Sequence, residues 1–181
     1  AIGIDNTLSG FAGTCLIARE IGRRGIRPSS FVAVDGSRPM LALAGRDRIA
    51  SRVVTTALHC DVRDVPLPDG SADIVIASFL LHLLDPHARS RTLAEADRLL
   101  RSGGRLVVVV HSAPRGWMGW LYRAAWKALS TPCRAPGLPS RLIEDLVPEV
   151  RQAGFDVEDA RHLPGVYWTQ IIRARRPDAT H

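Results

Sequence analysis

The 181-residue sequence has a single lysine, Lys127, two methionines and three cysteines, and each scarcity removes a class of protein. Cys15, Cys60 and Cys133 are odd in number and form neither a CxxC pair nor a zinc spacing with histidine. A disulfide scaffold and a zinc module are thereby set aside, and reduced thiols in the cytoplasm are expected. No stretch reaches the roughly 20 apolar residues that cross a bilayer. Residues Ala1 to Asp5 lack the basic and long apolar regions of a signal peptide. Neither internal repeats nor low-complexity tracts occur. The GxGxxG fingerprint of dinucleotide enzymes is absent, as is the Asn-Pro-Pro-aromatic motif of base-modifying enzymes. The net charge of +6 comes almost wholly from scattered arginines, a pattern that coding bias in a GC-rich genome also produces. Basic residues so dispersed do not form a nucleic-acid interface.

What is present is a globular composition, 46% hydrophobic and 23% charged, at a length that suits one domain with its own core. Short apolar runs at Ala1–Asp5, Phe31–Asp35, Val53–Leu58, Asp73–Ser78 and Arg105–Val110 alternate with helix-period segments. Continuous apolarity marks strands buried on both faces, and alternation with helices implies right-handed crossovers and a parallel sheet. A helix is predicted from Thr14 to Arg23. A second opens at Asp85-Pro86, shows Leu93, Ala96 and Leu100 on one face, and stops at Ser102-Gly103-Gly104. A Pro/Gly-rich segment around Thr131–Ser140 and a broken helix containing Pro148 follow. Phe155–Arg161 and Val166–Arg175 are close enough in sequence to pair as an antiparallel hairpin. The expected fold is therefore α/β, a Rossmann-like three-layer sandwich on a mostly parallel seven-stranded sheet with an antiparallel C-terminal hairpin strand. It forms one domain over 1–181, with an aromatic-rich helical insertion at about 114–138.

Ligands of an open parallel sheet bind beyond the carboxyl ends of its strands, so the residues that close each strand carry the chemistry. Asp35 ends the second strand, 22 residues after Gly13, where a carboxylate accepts from both ribose hydroxyls or caps the next helix. Asp61 follows the third strand as a second acceptor or a turn former. His82 and His111 end or follow the fourth and fifth strands, and stand as general-base candidates or as hydrogen-bonded structural histidines.

The run His59-Cys60-Asp61-Val62, Arg63-Asp-Val-Pro-Leu-Pro-Asp-Gly-Ser-Ala-Asp-Ile-Val-Ile-Ala-Ser78-Phe-Leu-Leu-His82 resembles the GDA-x-x-LPFPD-x-SFD-V-V-x-S-x-x-LHHL stretch of ubiquinone-biosynthesis-type methyltransferases. These belong to the class I S-adenosylmethionine-dependent enzymes of the methyltransferase type 11 family. Leu99-Leu-Arg-Ser-Gly-Gly-Arg-Leu-Val-Val-Val-Val110 is similar to that family's LKPGGRLVVV, and with Val32-Ala-Val-Asp35-Gly-Ser-Arg-Pro-Met40 the matches span residues 31–110 in family order.

The resemblance implies S-adenosyl-L-methionine as cofactor. Asp35 then holds its ribose, with Gly36 alongside; Met40 packs near the adenine, Asp61 accepts from the adenine amino group, and the Val62 N–H donates to a ring nitrogen. Ser78 closes the fourth strand beside the cofactor. The first turn departs from the family: Asp5 supplies its acid, but glycine returns only at Gly10 and Gly13, as if about two residues were inserted. The chain also begins on its first strand without the helices that precede it in the family, as a fragment or minimal member would.

Methyl transfer to a small, apolar or amphipathic acceptor of lipid or quinone type is the function the resemblance implies. A non-catalytic methyltransferase-like binding or scaffolding domain is the alternative that the altered turn favours, and a dinucleotide oxidoreductase is a third. Trp117-Met-Gly-Trp-Leu-Tyr-Arg-Ala-Ala-Trp126 holds four of the ten aromatic residues, and Gly119, Arg123, Lys127 and Ser130 share a narrow arc of its helical projection. The segment reads as a core helix, as a lid over an apolar substrate, or as a peripheral membrane contact at the inner face of the membrane.

Overall fold

The computed structural model describes residues 6–10, 16–26, 28–42, 55–114, 117–130, 143–165 and 168–178. In chain order the elements are β1 (Asn6–Gly10), α1 (Leu16–Arg23), β2 (Ser30–Asp35), α2 (38–42), β3 (Thr55–His59), β4 (Ala72–Ser78) and a 3-10 turn at Leu81–Leu83. Then come α3 (Pro86–Leu99), β5 (Leu100–His111), α4 (Trp117–Ser130), α5 (Val147–Gln152), β6 (Asp156–Leu163) and β7 (Thr169–Arg175).

The described strands make one sheet in the order β3-β2-β1-β4-β5-β7-β6. β1 to β5 pair in parallel, and β7 is antiparallel to both β5 and β6. Strand order reverses between β1 and β4, so the ligand crevice of such a sheet opens at their carboxyl ends.

Both faces of β2 are covered, which is why that strand is apolar without alternation. Phe31 and Ala33 of β2 pack with Ile17, Ile21 and Leu41, from α1 and α2. Val34 belongs to the larger core with Val75, Ala77, Leu106 and Val108 of the sheet and Leu93, Ala96 and Leu99 of α3. Each fully buried Leu, Phe or Val contributes about 1.5–3 kcal/mol. Asp85 caps α3 through its Oδ1, which accepts from Ala88 N–H at 2.8 Å, and Pro86 sits where a missing N–H costs nothing.

Two strand and helix ends differ from expectation. The first strand, expected at Ala1–Asp5, runs instead over Asn6–Gly10, in register with β2 from Asn6↔Ser30 to Gly10↔Val34. Ala1–Asp5 lie outside the described residues. The polar run Asn6-Thr7-Leu8-Ser9 disguises a strand that is hydrogen-bonded on both sides, to β2 and β4. The chain is therefore in the strand past Asp5, through Gly10.

The Ser102-Gly103-Gly104 stretch does not stop α3. The helix ends at Leu99, Leu100 is its C-cap, and the glycines lie within β5. They are needed there for other reasons: Gly103 has φ +69°, and a Cβ on Gly104 would stand 2.8 Å from the Arg101 carbonyl oxygen. The C-terminal hairpin forms as expected, with five residues between Leu163 and Thr169.

Candidate functional site

Parallel pairing brings Gly10, Asp35, His59, Ser78 and His111 to one edge, as the last residues of β1 to β5. Across the sheet their order is His59, Asp35, Gly10, Ser78, His111. With strands about 4.8 Å apart, Asp35 and Ser78 are separated by about 10 Å. An acidic end and a histidine end thus flank the switch point.

At the acidic end, a cleft of about 490 Å³ is walled by Asp35, Gly36, Ser37, His59, Cys60, Asp61, Val62 and Leu80. Asp35 is 2% exposed; its Oδ1 accepts from Ser37 N–H at 2.8 Å, while Oδ2 is buried without a hydrogen-bond partner among the described residues. An orphaned carboxylate oxygen is costly unless something donates to it. Gly36 leaves room beside it, since a Cβ there would meet only the Cys60 carbonyl oxygen, at 3.9 Å.

Asp61 is half-exposed on the turn after β3 and tightly paired. Arg63 donates to it through its backbone N–H and Nε, both 2.9 Å from Oδ1, and through Nη2, 2.5 Å from Oδ2. These bonds to Arg63 lower the Asp61 pKa to about 2. The turn is pinned from below by residues that sequence reasoning did not single out. Glu95 accepts from Val65 N–H at 2.7 Å, and Arg98 donates to the Val65 and Leu67 carbonyls, both at 2.9 Å. Their helical spacing marked an ion pair, but nothing in the sequence marked its reach to the turn.

His59, also unforeseen, closes the far wall, its Nε2 3.1 Å from the Gly36 carbonyl oxygen. Cys60 is a free, half-buried thiol whose pKa burial pushes up. Val62 is half-buried in the cleft wall, whereas Met40 stands half-buried on α2 outside that wall. Asp5 and Gly13 lie outside the described residues, as do Cys15, Cys133 and the Thr131–Ser140 segment.

At the histidine end, Ser78 is half-buried and Phe79 follows it with φ 51°, the one described non-glycine residue of positive φ. An aromatic residue in that region is strained by about 1–3 kcal/mol. The strain turns Phe79 outward, 38% exposed, over two histidines: ring centroids lie 4.7 Å from His111 and 6.2 Å from His82. The two imidazoles are 4.8 Å apart, nearly edge to face. His82 is 4% exposed; burial first, and then His111, lower its pKa to about 4. Burial also lowers that of half-buried His111. Both rings are neutral at pH 7, and the sequence predicted their position but not their contact.

Comparisons with known proteins give the family. A family model described as a methyltransferase domain matches residues 10–108. A ubiquinone/menaquinone biosynthesis C-methyltransferase of Geobacter sulfurreducens is 36% identical over 109 residues, 57% of this chain and 40% of that protein. A demethylmenaquinone methyltransferase of Thermus thermophilus is 36% identical over 93 residues, 51% of this chain and 41% of its own. The chain thus spans about two fifths of the length of these relatives.

Among solved structures, a SAM-dependent methyltransferase of Methanosarcina mazei superposes with a TM-score of 0.78 at 18% identity, over 98% of this chain and 94% of that one. A Burkholderia thailandensis 1,6-didemethyltoxoflavin-N1-methyltransferase, solved with S-adenosylhomocysteine, gives 0.70 at 20% identity, over 97% and 72%. The chain belongs to the methyltransferase domain family of class I, S-adenosylmethionine-dependent enzymes.

Proposed function

We propose that this domain binds S-adenosyl-L-methionine across the β2–β1–β4 edge and transfers its methyl group to a small apolar or amphipathic acceptor held at the β4–β5 end. The observation that carries the reading is Asp35, which lines the cleft and whose buried Oδ2 has no partner among the described residues. Two vicinal ribose hydroxyls are the donors this carboxylate suits. Asp61 and the Val62 backbone take the adenine, with Gly36 allowing close approach. Gly10 and Ser78 lie at the switch point, where the methionine portion passes. The bound cofactor supplies an electrophilic methyl on a sulfonium.

The chain's residues then have to position the acceptor and exclude water. Phe79 and His111 make the acceptor-facing wall. His111, the more exposed imidazole, is a neutral proton acceptor at pH 7 and takes a proton where the acceptor loses one. His82, buried behind it, sets the position of the His111 ring. The quinone-biosynthesis names of the two relatives support an acceptor of quinone type.

Isothermal titration with S-adenosylhomocysteine tests the cofactor assignment. Binding that is lost in Asp35→Ala is expected, whereas no binding at millimolar ligand, or equal binding by the variant, removes it.

A further inference from the structure

Over 117–124, described apolar side chains of α4 turn to solvent. Trp117 is 78% exposed, Trp120 69%, Leu121 55% and Met118 44%, and Ala124 is exposed with them, while Gly119 is buried. At 100° per residue, Trp117, Leu121, Ala124 and Trp120 fall within one 100° arc, opposite Gly119. The expected readings of the segment as a core helix or a lid require that arc to be covered. Two exposed tryptophans on one arc form a patch that a water-facing helix does not carry without a partner.

Charge selects the partner. Between Ser112 and Ile143 the sequence has five basic residues, Arg115, Arg123, Lys127, Arg134 and Arg141, and no Asp or Glu. Arg123 and Lys127 lie on the helical projection next to Trp120, at the border of the apolar arc. Tryptophan at the boundary and Lys/Arg at its flank are what the headgroup layer of an anionic bilayer takes up. No described helix is long and apolar enough to cross a membrane, so the contact lies in the plane of the surface.

We propose that the apolar face of α4 docks on an anionic lipid surface. α4 begins six residues after His111, which closes β5 at the carboxyl edge. Docking therefore brings the acceptor end of the cleft toward the lipid, from which an amphipathic acceptor enters. That last step rests on the function proposed above, whereas the docking does not.

Flotation of the chain with phosphatidylglycerol/phosphatidylcholine vesicles tests the docking. The wild type is expected to float with anionic vesicles and at least tenfold less with pure phosphatidylcholine. Trp117→Ser/Trp120→Ser should abolish flotation while its circular dichroism and S-adenosylhomocysteine titration stay those of the wild type. Arg123→Gln and Lys127→Gln should each weaken partitioning about fivefold, and 0.5 M salt should release the protein. Failure to float, or flotation unchanged in the tryptophan variant, overturns the proposal. So does a dimer in light scattering that the same variant dissolves, because a second copy then covers the face. Flotation without S-adenosylhomocysteine binding leaves the docking standing and removes the proposed function.

Discussion

Acidification should destabilise this protein before its carboxylates protonate, and His82 is the reason. In the native state burial and the neighbouring His111 hold the His82 pKa at about 4, against 6.5 for the unperturbed group. Between those values the unfolded chain binds a proton that the native state refuses, so stability rises with pH across the window. The contribution is fully present above pH 6.5 and is lost as pH falls toward 4. The full difference of about 2.5 units is worth about 3 kcal/mol, of which about 2 kcal/mol is already lost on going from pH 7 to pH 5. Burial of His111 adds a loss of the same sign. A domain of this size holds roughly 5–15 kcal/mol in all, so the effect is readily measured.

Urea melts of the wild type and His82→Gln at both pH values would measure it. Glutamine cannot take a proton, so the variant's own cost to stability appears equally at pH 7 and pH 5, and only the difference between them reports the titration. The wild type should lose about 2 kcal/mol more than the variant on acidification. A parallel pH dependence in the two proteins would refute the reasoning, as would a His82 ring proton resonance that titrates near 6.5.

Other substitutions probe the cleft and its supports. Asp35→Asn should weaken S-adenosylhomocysteine at least tenfold by isothermal titration, since hydrogen bonds to an ionised acceptor are worth about 1.5–3 kcal/mol. Arg63→Ala frees the Asp61 carboxylate; an exposed pair is worth at most about 1 kcal/mol, so affinity should rise by no more than about fivefold, and a fall would mean that Arg63 itself holds the ligand. Arg89→Ala removes a buried guanidinium that donates to both Glu149 oxygens at 2.7 and 2.8 Å and to the Leu84 carbonyl at 3.1 Å, and should cost about 3 kcal/mol in urea melts. Gly104→Ala drives a methyl group against the Arg101 and Asp73 carbonyls, at 2.8 and 3.2 Å, and should destabilise by about 1–3 kcal/mol.

The parts of this fold that could be read from residue order were those whose cause is local. Asp85-Pro86 announces α3 because the cap and the missing N–H act within one turn. Phe31 to Asp35 announces β2 because both faces of that strand are buried, and apolarity without alternation follows. β1 obeys the same geometry with polar residues, Asn6, Thr7 and Ser9, and gave no such signal. Its identity comes from pairing with β2 and β4, partners that lie more than 20 and 60 residues away in the chain. β1 runs over Asn6–Gly10, so Asp5 precedes the strand, while Gly13 lies outside the described residues.

The two ends of the cleft divide in the same way. The positions of Asp35 and Asp61 were legible because Asp35 closes β2 and Asp61 follows the end of β3 by two residues, so the strands fix where they stand. The histidine end was legible only as two separate residues. Its geometry depends on Phe79, whose positive φ no propensity would assign to a phenylalanine, and on β4–β5 pairing, which sets Ser78 opposite Val109, two residues before His111. Strain at Phe79 is held by the hydrogen bond from its N–H to the Val109 carbonyl at 2.7 Å and by the buried Leu80-Leu81 that follows. Relaxing that backbone would carry the Phe79 ring away from His111. Phe79→Gly, which accepts the same φ at no cost, should therefore leave the fold intact or stabilise it. Acceptor turnover should fall while S-adenosylhomocysteine affinity is unchanged, and a matching loss of both would place Phe79 on the cofactor instead.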